Sequence, residues 1–158
     1  MSDALIGAKG SLERATSWAR KWIGKDGIFY TYSKIVVPIN MKRTHWACVV
    51  VDIISREIMY YDSMLGLVNG QLYLTALVSF MDYMYRVGQD EKIDWIMIND
   101  GQCPQQSNCN DCGVHMLANI INTTVHGLVM PTGEWCVFEA TYYRKFLLIC
   151  IGRKLILH

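Results

Sequence analysis

Apolar residues along this chain form two different patterns. Continuous apolar runs of about four to eight residues are typical of buried strands, whereas apolar positions three and four apart are typical of one helix face. The first pattern predicts strands over residues 35–39, 45–52, 57–62 and 93–98. A short turn at Ser55-Arg56 makes the second and third strands a β-hairpin, and Pro38 indicates an edge strand or a strand end.

Helices are predicted where apolar residues return every three or four positions. The first would be capped by Ser11 and would carry an apolar stripe over 15–22. The others are expected over 72–87, 114–125 and 139–150. The order is therefore helix, three strands, helix, strand, helix, helix. It predicts an α+β fold in which helices flank a mostly antiparallel central sheet.

The composition is that of one packed domain, and we assign residues 1–158 to it. Apolar residues make up 52% and charged residues 18%, so a hydrophobic core is expected. A net charge of +1 argues against a nucleic-acid partner, and no apolar run approaches the roughly 18 residues of a membrane span. The amino terminus does not resemble a signal peptide, so we expect an intracellular location, in the nucleus or the cytoplasm.

Six cysteines could form a disulfide framework in a small secreted domain, but their positions favour a different interpretation. Cys48 and Cys150 lie within apolar runs and are expected to be small buried side chains. Cys112 lies instead where a polar loop meets the start of a predicted helix. The unpaired N–H groups and positive dipole end of that helix would favour a thiolate, so Cys112 is a candidate nucleophile.

A cysteine nucleophile requires a base within reach and, usually, a third group that orients the base. Among the four histidines, His45 differs because it opens the central strand at the rim of the sheet. Asp62 is either a turn residue in Asp62-Ser63 or the last residue of the next hairpin strand, in which case its side chain and that of His45 are expected on adjacent strand ends within hydrogen-bonding distance. Trp46 is either a core aromatic residue or one wall of a substrate cleft.

The remaining part that such chemistry uses is a donor for the developing oxyanion. Gln105 and Gln106 both precede Cys112 in the same loop, and a side-chain amide there could donate together with the Cys112 backbone N–H. Glutamines in polar loops are commonly only solvated. Spacing alone therefore leaves the choice open.

Several short motifs occur together in this sequence. They are His45-Trp46, Tyr60-Tyr61-Asp62-Ser63-Met64, Pro104-Gln105-Gln106, Asn108 and Asp111-Cys112-Gly113. In order and spacing they resemble the SUMO-specific protease family of the Ulp and sentrin type. The resemblance covers most of the chain from about residue 15 onward. No one motif would be sufficient by itself.

This resemblance implies a papain-like cysteine protease architecture and a role for each motif. It implies that Cys112 is the nucleophile, that His45 is the base and that Asp62 orients it. It also implies that Gln106 is the oxyanion donor and that Trp46 covers the Gly-Gly tail of the substrate. The expected activity is cleavage after the C-terminal Gly-Gly of a ubiquitin-like modifier, most simply SUMO, with NEDD8 and ubiquitin as alternatives and without cofactor or metal.

The family's catalytic domain normally begins earlier, with a Leu-Asn-Asp type segment and a further tryptophan that helps to enclose the tail. This chain starts after the position of those features, so we expect an N-terminally shortened domain. It would be a fragment or a reduced form, or its affinity for the modifier would come from elsewhere.

Three other interpretations compete with a protease. A zinc-binding module would use Cys103, Cys109, Cys112 and His115, although structural zinc sites usually draw two ligand pairs from separated segments. A redox site would use the C-x-x-C pair of Cys109 and Cys112, but that motif needs a βαβ context that the predicted order lacks. A binding module of the same fold would hold a ubiquitin-like protein with little or no cleavage.

Overall fold

The computed structural model describes residues 17, 32–64, 70–86, 93–99, 103–125 and 137–152. Four strands and three helices lie in these ranges. They are β1 (Lys34–Met41), β2 (His45–Asp52), β3 (Glu57–Tyr61), α1 (Gly70–Arg86), β4 (Ile96–Asn99), α2 (Cys112–Val125) and α3 (Val137–Gly152). The predicted order is confirmed for these seven elements, and the helix predicted from Ser11 lies outside the described residues apart from Ser17.

The strands form one sheet in the order β1-β2-β3-β4. The first two pairings are antiparallel and the third, between β3 and β4, is parallel. The prediction of an α+β fold with a mostly antiparallel sheet is therefore confirmed. Pro38 lies within β1, an edge strand, which is where proline is found in sheets because it has no N–H group to donate.

Helices cover both faces of the central strand β2. Ala47, Val49 and Val51 alternate along one face and pack, together with β3, against α1 in a buried hydrophobic cluster. The intervening Cys48 faces the other way, where its thiol contacts the backbone carbonyl of Met116 in α2 at 3.9 Å. Burial on both faces explains the near-continuous apolar sequence of β2.

Several predicted strand boundaries were wrong: β1 extends over Lys34–Met41 and β4 ends at Asn99, and pairing explains the start of β4 and the end of β3. Strand β4 begins at Ile96 because that residue pairs with Glu57, the first residue of β3, so residues 93–95 have no partner strand. Asp62 lies one residue beyond β3, which ends at Tyr61 opposite Cys48. A strand needs a neighbour to fix its length, and the apolar pattern does not reveal where that neighbour stops.

The β1–β2 turn leads directly into His45. Lys42 and Arg43 both have positive φ angles, 50° and 63°, and the Thr44 N–H closes the turn on the Met41 carbonyl at 3.0 Å. Side chains other than Gly, Asn and Asp adopt this conformation at an energetic cost. The surrounding strand pairing holds the turn, and the turn fixes His45 as the first residue of β2.

The helices of the described residues include none that is both long and apolar enough to cross a membrane.

Candidate active site

The side chains of His45 and Asp62 meet at the ends of β2 and β3. Their contact joins His45 Nε2 to Asp62 Oδ1 at 2.6 Å, and both residues are buried. In the β2–β3 register, Cys48 opposes Tyr61, so the next residue, Asp62, comes level with Ala47. His45 is two positions from Ala47 on the same face, and the pair is therefore a diagonal cross-strand contact.

Asp62 is held by two further hydrogen bonds besides the one to His45. The Tyr60 hydroxyl donates to Oδ2 at 2.8 Å and the Met64 backbone N–H donates to Oδ1 at 2.9 Å. Burial, followed by this hydrogen bond to a carboxylate, raises the pKa of the Tyr60 phenol far above its ordinary value. Tyr60 is therefore a permanent neutral donor, and the Asp62 carboxylate is fixed from three directions.

The Asp62 contact determines which nitrogen of His45 can act as a base. A carboxylate only accepts hydrogen bonds, so Nε2 carries the proton in the neutral imidazole and Nδ1 carries the lone pair. Nδ1 is buried and has no hydrogen-bond partner among the residues that the structure describes. An unpartnered buried nitrogen is unusual unless a function uses it. Nδ1 is thus the atom available to take a proton.

Cys112 is the first residue of α2, as its position between loop and helix predicts. The His115 N–H donates to the Asp111 carbonyl at 2.9 Å, which is the first hydrogen bond of the helix. The Cys112 N–H therefore belongs to the unpaired first turn, where the helix dipole is positive. The Cys112 side chain is largely buried, with 6% of its residue surface exposed.

Trp46 connects the start of β2 with the start of α2. A Cβ atom built on Gly113 would lie 3.7 Å from Cδ1 of the Trp46 indole, so the ring lies beside the residue that follows Cys112. Helix α2 packs along β2, which brings the rims of both elements to the same end of the sheet. Trp46 is 39% exposed and is therefore a rim aromatic residue rather than a core one.

Gln105 and Gln106, which sequence spacing could not separate, have different environments. Both N–H groups of the Gln105 amide are used, by the carbonyls of Asp62 at 2.9 Å and Cys103 at 2.7 Å. The Gln106 amide accepts from the Ser63 hydroxyl at 2.6 Å and donates from Nε2 to the Asn108 carbonyl. An amide nitrogen carries two hydrogens, so Gln106 retains one N–H for another acceptor.

Asn108 organises the loop that precedes Cys112. Its side-chain oxygen accepts from the backbone N–H groups of Asn110 at 2.8 Å and Asp111 at 3.1 Å. Its amide nitrogen donates to Asp111 Oδ2 at 2.6 Å. Arg144 of α3 donates to the other oxygen of the Asp111 carboxylate, with Nε at 3.0 Å.

Tyr60, Asn108 and Arg144 have no individual role predicted from the sequence. Asn in a polar loop commonly hydrogen-bonds to the backbone two residues further on, so Asn108 could have been predicted to form a turn before Cys112. Arg144 could not, because its partner is 33 residues away and only the packing of α3 brings them together.

The four residues of the zinc alternative do not form a metal site. Within the described ranges no three His, Cys, Asp or Glu side chains are grouped so that they could hold a metal ion. Cys109 is exposed, whereas Cys103 is buried and receives the Asn119 amide N–H at 3.2 Å. Cys103, Cys109 and Cys112 are all free thiols, so the C-x-x-C pair is not joined in this structure.

Solved SUMO protease structures share this fold, in which a helix packs across the central strand of an α+β sheet. One solved structure, a SUMO protease Ulp1 with its catalytic cysteine oxidised to a sulfonic acid, matches with a TM-score of 0.71 and 24% identity. The match covers 92% of this chain and 63% of the Ulp1 chain in that structure. Another, the C-terminal Ulp1 protease domain in complex with SMT3, the yeast orthologue of SUMO, has a TM-score of 0.69 and 24% identity over 90% of this chain and 61% of that one.

Sequence comparison assigns the chain to a protein family. Residues 8–127 match the sequence model of a family described as "Ulp1 protease family, C-terminal catalytic domain". The chain belongs to this family. Ubiquitin-like-specific protease 1 of Saccharomyces cerevisiae is 31% identical over 140 residues, which are 85% of this chain and 21% of that protein. The chain therefore spans about a fifth of the length of this curated relative.

Proposed function

We propose that this protein is a cysteine protease and isopeptidase that cleaves after the C-terminal Gly-Gly of a ubiquitin-like modifier, with SUMO as the preferred modifier. It would release the modifier from lysine side chains, mature its precursor, or do both. Residues 1–158 would form a single catalytic domain that acts in the nucleus or the cytoplasm. The observation that carries it is the His45–Asp62 pair, at 2.6 Å. This pair leaves the buried Nδ1 of His45 without a hydrogen-bond partner among the described residues, at the rim where α2 begins with Cys112.

In the first half of the reaction, His45 Nδ1 takes the Cys112 proton and the thiolate attacks the carbonyl carbon of the terminal glycine. Asp62 orients the imidazole through Nε2 and stabilises the imidazolium that forms. The C–N bond to the lysine then breaks, the amine leaves with the proton from Nδ1, and a thioester remains on Cys112.

In the second half, a water molecule gives a proton to Nδ1 and attacks the thioester carbonyl. The C–S bond breaks, the modifier leaves with a free carboxylate, and the thiol regains its proton from His45. Asp62 keeps the proton of Nε2 in place throughout, so the imidazole exchanges protons only at Nδ1. The groups on this chain are sufficient for both halves without a cofactor.

Two N–H groups could stabilise the oxyanion in both halves. The Cys112 backbone N–H lies in the unpaired first turn of α2, and the Gln106 amide has one N–H beyond the one that it gives to the Asn108 carbonyl. The bonds from Ser63 and to Asn108 fix the plane of the Gln106 amide. A fixed donor needs no reorganisation as charge develops on the substrate oxygen, which is the basis of its benefit.

Trp46 is suited to cover a narrow substrate tail. Its indole lies beside Gly113 at the same rim and remains partly exposed. A flat ring over the last two residues of a modifier would leave space for glycines and would collide with any larger side chain. This selection against side chains supports a Gly-Gly tail as the substrate class.

A modifier with a C-terminal electrophile in place of the scissile bond tests the proposal. We expect SUMO carrying a vinyl sulfone to label the wild-type protein covalently, Cys112→Ala to show no labelling, and His45→Ala to label slowly. Intact-protein mass spectrometry would report the adduct. Parallel reactions with NEDD8 and ubiquitin probes would identify the preferred modifier.

Labelling of Cys112→Ala, or no labelling of the wild type by any of the three probes, would contradict the protease proposal. Tight binding of an unmodified modifier by a wild-type protein that no probe labels would favour the binding-module alternative instead. Cys109→Ala is the matched control, because Cys109 is exposed and precedes α2 in the same loop. It should label at the wild-type rate.

A further inference from the structure

The C-terminal helix α3 contacts the two residues that immediately precede Cys112. The Arg144 guanidinium donates to Asp111 Oδ1 from both Nε, at 3.0 Å, and Nη2. Nη2 also donates to the backbone carbonyl of Asn110 at 3.0 Å. One planar side chain therefore holds a carboxylate and a carbonyl on consecutive residues, which suits a guanidinium and not an ammonium.

We propose that Arg144 is a positioning residue for catalysis, which fixes the peptide that carries the Cys112 N–H and the loop that carries Gln106. This inference rests on the proposed function, because it assigns those two N–H groups to the oxyanion. It extends the active-site apparatus to α3, which lies beyond the residues 8–127 that define the family match.

The first link is from Arg144 to the Cys112 N–H. That N–H belongs to the peptide between Asp111 and Cys112, whose carbonyl accepts the His115 N–H at 2.9 Å. Arg144 holds the preceding carbonyl, of Asn110, and the side chain of Asp111. The peptide is thus fixed on both sides, by α2 after it and by α3 before it.

The second link is from Arg144 to Gln106. The Asp111 carboxylate that receives Arg144 also receives the Asn108 amide at 2.6 Å, and the Asn108 carbonyl receives the Gln106 amide. This series of hydrogen bonds connects α3 to both proposed oxyanion donors. Asp111 is buried, whereas the Arg144 side chain is 48% exposed, so the arginine approaches the loop from the solvent side.

A role in positioning differs from a role in stability. A half-exposed ion pair contributes little to folding, so loss of Arg144 should leave the fold intact. Misplacement of a catalytic group by about 1 Å can slow a reaction by roughly a hundredfold. Replacing Arg144 is therefore expected to change the rate much more than the stability.

The test uses the electrophilic modifier probe on the whole chain, with maximal labelling rate and half-saturating probe concentration measured separately. We expect Arg144→Gln to lower the maximal rate by roughly ten- to a hundredfold and to leave the half-saturating concentration within about twofold of wild type. Arg144→Lys should recover only part of the rate, since an ammonium cannot hold both acceptors with the same geometry. Lys145→Gln removes a neighbouring exposed cation of α3 and should have no effect.

A double variant shows whether Arg144 acts through Asp111. If it does, Asp111→Asn with Arg144→Gln should be no slower than the slower single variant. Rates that multiply would overturn the proposal, as would a wild-type maximal rate in Arg144→Gln. If Arg144→Gln lowers the melting temperature but its folded fraction still labels at the wild-type rate, the role is only structural and the proposal is wrong.

A second reagent separates this inference from the proposed function. Iodoacetamide alkylates cysteine without any modifier, and peptide mapping would follow Cys112 alone. If no modifier probe labels the wild type, the proposed function fails. The peptide that Arg144 fixes also positions the Cys112 thiol relative to His45, which takes its proton. The positioning role therefore still predicts slower alkylation of Cys112 in Arg144→Gln, with unchanged alkylation of the exposed Cys109. Equal Cys112 alkylation in both proteins would overturn it.

Discussion

Asp62 receives three hydrogen bonds on a side chain that is almost entirely removed from water. Burying a carboxylate lowers stability unless its oxygens are hydrogen-bonded, so each donor should make a measurable contribution to the free energy of unfolding. His45 and Met64 share Oδ1, whereas Tyr60 is the donor that the structure gives to Oδ2. Removal of the Tyr60 hydroxyl should therefore show most clearly how much stability is lost when an oxygen of the buried carboxylate loses its donor.

We expect Tyr60→Phe to lower the free energy of unfolding by about 1.5–3 kcal/mol, the usual range for a hydrogen bond to a charged group. It should also slow labelling by the modifier probe, because Asp62 is then less firmly held against His45. Urea denaturation and labelling kinetics are the measurements. Tyr61→Phe is the matched control: the Tyr61 hydroxyl contacts the weak acceptor Met59 Sδ at 3.3 Å, and we expect a loss below about 1 kcal/mol. Equal losses in the two variants would contradict this account.

Asp111 has a pKa below the usual carboxyl range, because the Asn108 amide and then the Arg144 guanidinium favour its charged form. A carboxylate whose pKa is lowered by folding stabilises the protein above its unfolded pKa of about 3.9. That contribution is lost as the pH falls through the lower pKa of the folded state. The stabilisation by Asp111 should therefore be present at neutral pH and disappear in acid.

We expect Asp111→Asn to lower the free energy of unfolding by about 1 kcal/mol at pH 7. This difference from wild type should shrink as the pH falls below about 3.9. Urea denaturation across that range would measure it. Asp94→Asn, the same change at an exposed residue, should stay within about 0.5 kcal/mol of wild type throughout. A difference between Asp111→Asn and wild type that is constant with pH would count against the assignment.

At the scale of elements, the start of α1 is shaped to fit the tyrosine that holds Asp62. A Cβ atom built on Gly70 would lie 2.5 Å from Cδ1 of the Tyr60 ring, which is much closer than real Cβ contacts. The Tyr60 ring is stacked on Tyr73 one turn further along the helix, with ring centroids 6.0 Å apart. It therefore cannot withdraw without disturbing α1 or the hydrogen bond to Asp62.

We expect Gly70→Ala to destabilise the protein by about 1–3 kcal/mol through overpacking, although alanine is a better helix former than glycine. Slower probe labelling should accompany the loss if the shift of Tyr60 is transmitted to Asp62. Thermal denaturation and labelling rates would show both effects. Gly152→Ala provides the control in another helix, since nothing lies within 4 Å of the added Cβ, and it should be nearly neutral. A Gly70→Ala protein as stable as the control would contradict the observed packing.

Across the whole molecule, the sheet separates two layers, and Cys48 lies where β2 meets α2. Burial, followed by the nearby Cys103 and Asp62, raises the pKa of the Cys48 thiol to about 12. The reactive form of a cysteine is its thiolate. Cys48 is therefore chemically silent in the folded protein, in contrast with the exposed Cys109.

We expect iodoacetamide at pH 8 to modify Cys109 readily in the native protein and to leave Cys48 unmodified. In urea above the unfolding midpoint both should react alike, because an unfolded thiol has an ordinary pKa near 8.5. Mass-spectrometric peptide mapping over a urea series would measure each site. Reaction of Cys48 should then follow global unfolding, and its modification at zero urea would show that the α2–β2 contact opens independently.

The local patterns of the sequence predicted most of the secondary structure. The continuous apolar run of β2 and the helical period of α2 both reflect which positions are buried, and burial can be recognised in the sequence as a pattern of apolar residues. The junction at Cys112 was also predicted, because loop and helix compositions change there abruptly. Where a boundary depended on a partner strand, as at Ile96, the prediction was wrong.

By itself, the sequence determined the element types, the junction at Cys112 and, by resemblance to a family, a candidate set of four residues with Trp46 beside them. Only the tertiary structure decided that Gln105 donates both amide hydrogens to backbone carbonyls, that His45 Nδ1 has no described partner, and that Arg144 reaches Asp111. The reason is physical. Hydrogen bonds between residues far apart in the chain leave no periodic pattern, and they exist only once packing has brought the elements together.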